Sequence, residues 1–134
     1  MSSRNLDLVR SIYADWERGD FRSVEWADPD IEFVIADGPS PGRWTGLAGL
    51  RDGWRDFLSA WGEYRTAVDE YRELDGERVL GLAHFSAHGK SSGLEIDPRL
   101  TRAAILFHLR DGKVARLVVY LDRDRALADL GLKE

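Results

Sequence analysis

The sequence predicts an α+β domain, and three observations carry that expectation. Apolar residues recur at helical spacing in the N-terminal third and again between residues 47 and 61. Two Asp-Gly dipeptides, at 75–76 and 111–112, are hairpin signals set within chain of strand character. Helices come first and an antiparallel meander second, an order that excludes a parallel, alternating fold. A length of 134 residues without an internal repeat, a low-complexity tract or a linker predicts a single domain over residues 1–134.

The first helix is read from Leu6, Val9, Ile12, Tyr13 and Trp16, which share one face at spacings of three and four. Ser2 or Ser3 is placed to cap it, and Gly19 to end it. Asp20 is then expected to cap a short turn through Val24. Pro29 is read as a break before a strand in which Ile31, Phe33, Ile35 and finally Asp37 lie on one face. A loop follows over 38–42, with Trp44 just beyond it. Leu47, Leu50, Trp54, Phe57, Leu58 and Trp61 form the apolar stripe of a further helix, which Gly49 and Gly53 weaken. The remaining chain divides into strands at about 64–74, 78–90, 95–109 and 114–121, with a turn at Ser91-Ser-Gly93 and an irregular or edge start near Pro98. Asp122 caps a last short helix containing Leu127 and Leu130 and closed by Gly131.

Composition removes several classes of function. Charged residues make up 32% and hydrophobic ones 43%, which fits neither a disordered chain nor a membrane protein. No apolar run approaches the ~20 residues of a membrane span. The start, Met1-Ser-Ser-Arg-Asn5, has no apolar core or cleavage site, so no secretory signal is expected. A net charge of −5 without a basic stripe argues against nucleic acid as a partner. The absence of cysteine removes disulfides, thiolate metal sites and cysteine nucleophiles, and agrees with a cytoplasmic location.

Six segments carry a resemblance in their order and spacing. They are Leu8–Phe21, Asp28–Phe33, Gly42–Gly46 leading into a helix, Leu109-Arg-Asp-Gly-Lys-Val114, Tyr120-Leu-Asp-Arg123 and Ala126–Gly131. Together they resemble the SnoaL-like family of the nuclear transport factor 2-like (NTF2-like) superfamily over nearly the whole chain. The resemblance implies a cone-shaped barrel in which a curved antiparallel sheet wraps around N-terminal helices and leaves a central pocket. It also implies a homodimer, no cofactor, and acid–base chemistry akin to that of ketosteroid isomerases, polyketide cyclases and limonene-epoxide hydrolases. Members without enzymatic activity are also known, so the fold does not settle the function. The isomerases' first-helix tyrosine falls at Ile12, with Tyr13 one residue and about 100° away. Their acidic hydrogen-bond donor falls at Ile105, the last-strand aspartate of the epoxide hydrolases at Val119, and the general base near Ile35, two residues before Asp37.

Asp37 is therefore the first candidate for catalysis, as a base desolvated at a cavity mouth. The alternative is a turn carboxylate that caps local amides. His84 is the second candidate, as an acid or base in the pocket. Tyr13, Trp16, Trp44, Trp54, Ile105 and Val119 are the candidate ligand-binding residues, against the alternative that they are ordinary core. No metal site is expected, because His84 and His88 are about 13 Å apart on one strand. In the expected hairpin register His84 faces the region of Thr101 and His108 lies toward Arg78. The partner these features imply is a small, largely apolar organic molecule, with no nucleic acid and no membrane. Two readings remain: a cofactor-independent isomerase, cyclase, dehydratase or hydrolase, and a non-catalytic ligand-binding or dimerisation module.

Overall fold

A computed structural model describes residues 4–20, 23–37, 41–59, 61–89 and 102–132. The elements in chain order are α1 (Arg4–Glu17), β1 (Ala27–Ile35), β2 (Gly42–Thr45), α2 (Gly46–Ser59), β3 (Trp61–Glu73), β4 (Arg78–Gly89), β5 (Arg102–Arg110), β6 (Lys113–Tyr120) and α3 (Arg123–Asp129). The strands form one sheet in the order β2-β1-β6-β5-β4-β3. All neighbours are antiparallel except β1 and β6, which run parallel.

The period-2 alternation of each strand sorts its side chains onto two faces. On the inner face the register aligns two apolar rows across the sheet. One runs Tyr71, Gly81, Ile105, Val119, Ile35 and Gly42; the other runs Val79, Phe107, Leu117, Phe33 and Trp44. The helices α1 and α2 cover this face, burying Val9, Ile12, Tyr13, Trp16, Leu50, Trp54 and Phe57 against it. The outer face carries a separate cluster of Leu80, Leu82, Ala104, Leu106, Val118 and Tyr120, packed under Ala126 and Leu127 of α3.

Local signals placed several boundaries correctly. Gly19 and Gly131 take φ of 82° and 68° past the ends of α1 and α3, and the Asp122 side chain caps α3 by accepting from the Asp124 and Arg125 N–H groups. At the β5–β6 turn Asp111 and Gly112 both have positive φ, as a two-residue hairpin requires. His108 does pair with Arg78, and His84 pairs with Arg102, next to the expected Thr101.

Other elements differ from the sequence reading. The Asp75-Gly76 turn is a three-residue loop, 75–77, closed by the Leu74 N–H to the Arg78 carbonyl (2.9 Å). Asp75 accepts from the Glu77 and Arg78 N–H groups in that loop, and these bonds hold its carboxyl below the usual carboxylate range. Pro29 lies inside β1 instead of preceding it, because the ladder to β6 shifts register between Ala27 and Glu32 and no partner needs a donor there. Residues 38–40 of the expected loop lie outside the described residues; its last residue, Gly42, opens β2, and Trp61 opens β3 instead of closing α2. The cap at Ser2 or Ser3, the turn at Ser91–Gly93 and Pro98 lie outside the described residues, as does part of the turn after Asp20.

Gly53 has a packing role that helix propensity alone obscures. A Cβ there would stand 2.7 and 2.8 Å from Phe33 Cδ2 and Cε2 and 2.9 Å from Trp44 Cδ2. Phe33 is fully buried and cannot swing away. Gly53→Ala gains about 1 kcal/mol of helix propensity but incurs about 1–3 kcal/mol of overpacking. A net loss of about 1 kcal/mol is expected, read as a lower urea midpoint with an unchanged m-value.

Candidate functional site

The six expected ligand-binding residues are brought onto the inner face. Tyr13 and Trp16 on α1 meet edge to face at 5.0 Å, Trp16 meets Trp54 at 5.2 Å, and Trp54 lies 5.1 Å from Phe33, which in turn contacts Trp44 at 5.6 Å. These distances lie within the range of favourable aromatic pairs. Ile105 and Val119 are direct cross-strand partners beneath this layer. The Tyr13 ring lies against the bare backbone of Gly81, where a Cβ would come within 2.9 Å of its Cε2. Tyr71 completes the cluster at 6.0 Å from Tyr13, and burial, aided by the nearby Glu17 carboxylate, pushes its hydroxyl above the ordinary value of about 10.

Asp37 follows Ile35 at the end of the same inner-face series. Its Oδ1 accepts from the Leu121 N–H at 2.6 Å, tying the end of β1 to the segment after β6. Its Oδ2 is sealed from solvent and accepts no hydrogen bond from any described residue. The Tyr13 hydroxyl and the Trp54 ring nitrogen are likewise buried polar atoms of this half of the molecule. From Asp37 the row Ile35, Val119, Ile105 and Gly81 carries no polar side chain until it reaches Tyr71 on β3.

The structure places His84 elsewhere. It shares the outer face of β4 with Leu80 and Leu82, so the sheet itself separates it from Tyr13 and Asp37. There its Nδ1 lies 2.6 Å from Asp69 Oδ1, and Asp69 Oδ2 accepts from Arg123 Nη2 at 2.8 Å. Neither Asp69 nor Arg123 stood out in the sequence. Asp69 sits in a strand among other carboxylates, and Arg123 figures there only as the end of the segment Tyr120–Arg123. The signal that could have singled out Arg123 is its place directly after the Asp122 cap, which directs it back onto the sheet.

Depressions on the surface include two that are lined by described residues. One of about 700 Å³ lies past the end of α1 between Arg18, Asp20, Val24 and Arg51. The other, of about 450 Å³, lies on the outer face between Arg78, His108, Arg116, Tyr120 and Leu130. Neither is lined by the six inner-face candidates. No group of three or more His, Asp or Glu side chains is arranged to hold a metal among the described residues.

Arg123 is the buried charge of the described chain, with its side chain 9% exposed, whereas Asp69 is 34% exposed. Its removal leaves the Ala83 and Ala103 carbonyls and the Asp69 carboxylate without their donor. Because Asp69 retains contact with water, Arg123→Leu is expected to cost about 2–3 kcal/mol, below the range for a fully buried pair. Thermal unfolding monitored by circular dichroism measures it.

Comparison with known proteins agrees with this architecture. The sequence profile of the SnoaL-like domain matches residues 9–117. An NTF2-like protein of unknown function from Burkholderia pseudomallei is 21% identical, with a TM-score of 0.79 over 95% of this chain and 97% of that one. TerC, crystallised with polyporic acid, is 23% identical, with a TM-score of 0.76 over 96% of this chain and 98% of its own. A protein from Jannaschia sp. CCS1, named for its likeness to SnoaL polyketide cyclases, is 15% identical, with a TM-score of 0.72 over 98% and 94% of the two chains. No curated protein matches the sequence. The fold is thus NTF2-like, and the chain belongs to the SnoaL-like domain family.

Proposed function

We propose that this protein binds a small, largely apolar organic molecule on the inner face of the sheet, next to Asp37. The observation that carries this reading is the Asp37 carboxylate. One oxygen is committed to the Leu121 N–H, and the other is buried with no donor among the described residues. A buried acceptor of this kind is costly unless something donates to it. A hydroxyl or enol group on a bound molecule would supply that donor, while Tyr13, Trp16, Trp44, Trp54, Ile105 and Val119 form the apolar wall. The similarity to TerC, which was crystallised with polyporic acid, supports an organic ligand in this fold.

For a ligand carrying an acidic proton, Asp37 is the base of a cofactor-independent isomerase, cyclase, dehydratase or hydrolase. Its Oδ2 would take the proton in a setting that excludes water. A second reading, binding without chemistry, is favoured by the apolar row beside Asp37. Ile35, Val119 and Ile105 offer no partner acid to stabilise a developing oxyanion. Self-association through the outer face around α3 is part of the proposal, since Val34, Ala36, Leu130 and Leu132 are only partly covered there. Lack of cysteine is the ground for placing the protein in the reducing cytoplasm.

Calorimetric titration with 2-naphthol and 2-methoxynaphthalene tests the Asp37 contact, because the two probes differ in one hydrogen-bond donor. Wild-type protein is expected to prefer 2-naphthol by about 10-fold or more, the value of a hydrogen bond to a charged acceptor. That preference should vanish in Asp37→Asn, and equal binding of both probes by wild type would refute the contact. Native mass spectrometry of the purified protein then identifies a retained molecule. Conversion of that molecule by wild type but not by Asp37→Asn separates enzyme from binding module.

A further inference from the structure

The outer-face group of His84, Asp69 and Arg123 has no part in the inner-face reading, yet it is built like a site. Asp69 is the extra residue of a bulge: Val68 pairs with Ala83 and Glu70 with Leu82, so Asp69 has no partner of its own. Bulges re-aim a side chain, and this one turns a carboxylate onto the outer face. There Asp69 is pinned from behind by Arg123, whose guanidinium also donates to the carbonyls of Ala83 (2.7 Å) and Ala103 (3.3 Å). Moving the carboxylate away would leave a buried guanidinium without its counter-charge, which is strongly unfavourable.

The fixed carboxylate determines the chemistry of the imidazole. Ionised Asp69 only accepts hydrogen bonds, so the His84 Nδ1 at 2.6 Å carries the proton. The lone pair of neutral His84 is therefore on Nε2, which has no hydrogen-bond partner among the described residues, and the side chain is 44% exposed. An imidazole oriented through Nδ1 with Nε2 presented outward is the arrangement of an activated base or nucleophile. The charged groups facing it are Asp69 and Arg65 of β3, Arg102 directly across on β5, and Arg123 and Asp124 of α3, with Arg102 Nη2 3.3 Å from Asp124 Oδ1. His108 makes the contrast: its own Nε2 is engaged by Glu77 at 3.2 Å, and that carboxylate is 72% exposed with no buried cation behind it.

We propose that His84 is a nucleophilic histidine on the outer face, backed by the positioning residues Asp69 and Arg123, and that it reacts with small activated carboxylic esters. The Nε2 lone pair adds to the ester carbonyl, the carbon–oxygen bond to the leaving group breaks, and the alkoxide or phenolate departs. The resulting acylimidazolium shares its Nδ1 proton with Asp69. Water then adds to the acyl carbon, the carbon–nitrogen bond to Nε2 breaks to release the carboxylic acid and restore neutral His84, and the proton that water gives up passes through solvent to the departed alkoxide or phenolate. The net reaction is ester plus water to acid plus alcohol or phenol. Arg102, on the same face, brings positive charge to the oxyanion formed on the way.

The test is protein-dependent release of 4-nitrophenolate from 4-nitrophenyl acetate by the full chain. His84→Gln is expected to lower the second-order rate constant at least 10-fold, while His88→Gln and His108→Gln retain it. In Asp69→Asn the amide can donate to Nδ1 and move the ring proton to Nε2. That variant is expected to lose the rate at neutral pH with a native circular dichroism spectrum, and to show a different pH–rate profile. Quenched reactions digested for mass spectrometry should carry the acetyl group on the peptide containing His84. A natively folded His84→Gln that keeps the wild-type rate, or an equal loss in all three histidine variants, would overturn the proposal. If Asp69→Asn unfolds, Asp69→Glu serves in its place, with partial retention of rate expected and full retention counting against the positioning role.

Discussion

Everything in this molecule depends on aromatic rings lying directly on backbone. Tyr13 lies over Gly81 of β4, and Phe33 and Trp44 pack against Gly53 of α2. At both places the absence of a Cβ lets a helix and the sheet approach more closely than any other residue would permit. Those contacts seat α1 and α2 in the concavity of the sheet, and Trp16, Trp54 and Phe107 fill the space between them. Once the helices are seated, the inner face becomes a continuous apolar layer, and a polar atom beside it stands out. Asp37 is such an atom, and its role in the proposal derives from the dryness the packing creates.

The sheet separates two chemistries that a linear reading merges. Asp37 lies just past the end of β1 and His84 in the middle of β4, and nothing local says which side of the sheet each one takes. Their separation comes from strand parity: Asp37 follows Ile31, Phe33 and Ile35 inward, whereas His84 follows Leu80 and Leu82 outward. On the inner side an isolated carboxylate sits beside aliphatic residues. On the outer side an imidazole, a carboxylate and a guanidinium form one hydrogen-bonded line.

Much of this was legible in the residues. The helical faces that carry Tyr13, Trp16 and Trp54, the Asp111-Gly112 turn and the Asp122 cap all follow from short-range pattern. What escaped the sequence was set by contacts distant along the chain. Pro29 is tolerated inside β1 because of a ladder irregularity against β6. Asp75-Gly76 forms a longer loop because the Asp75 carboxylate satisfies two amides that a tight turn would have left to backbone. Asp69 and Arg123, 54 residues apart, become partners only through a bulge whose position no propensity announces.

The parallel pairing of β1 with β6 bears on how the chain reaches this state. The β1–β2 hairpin and α2 are complete by residue 59, but the strand that joins β1 to the rest of the sheet begins at Lys113. Until β6 is made, Ile31, Phe33 and Ile35 have no neighbour on that edge, and the loop to be closed spans most of the chain. Closure of this kind is slow compared with the hairpin steps β3–β4 and β5–β6. On a ribosome the first half would therefore wait with an unpaired edge strand, dependent on the last strand to shield it.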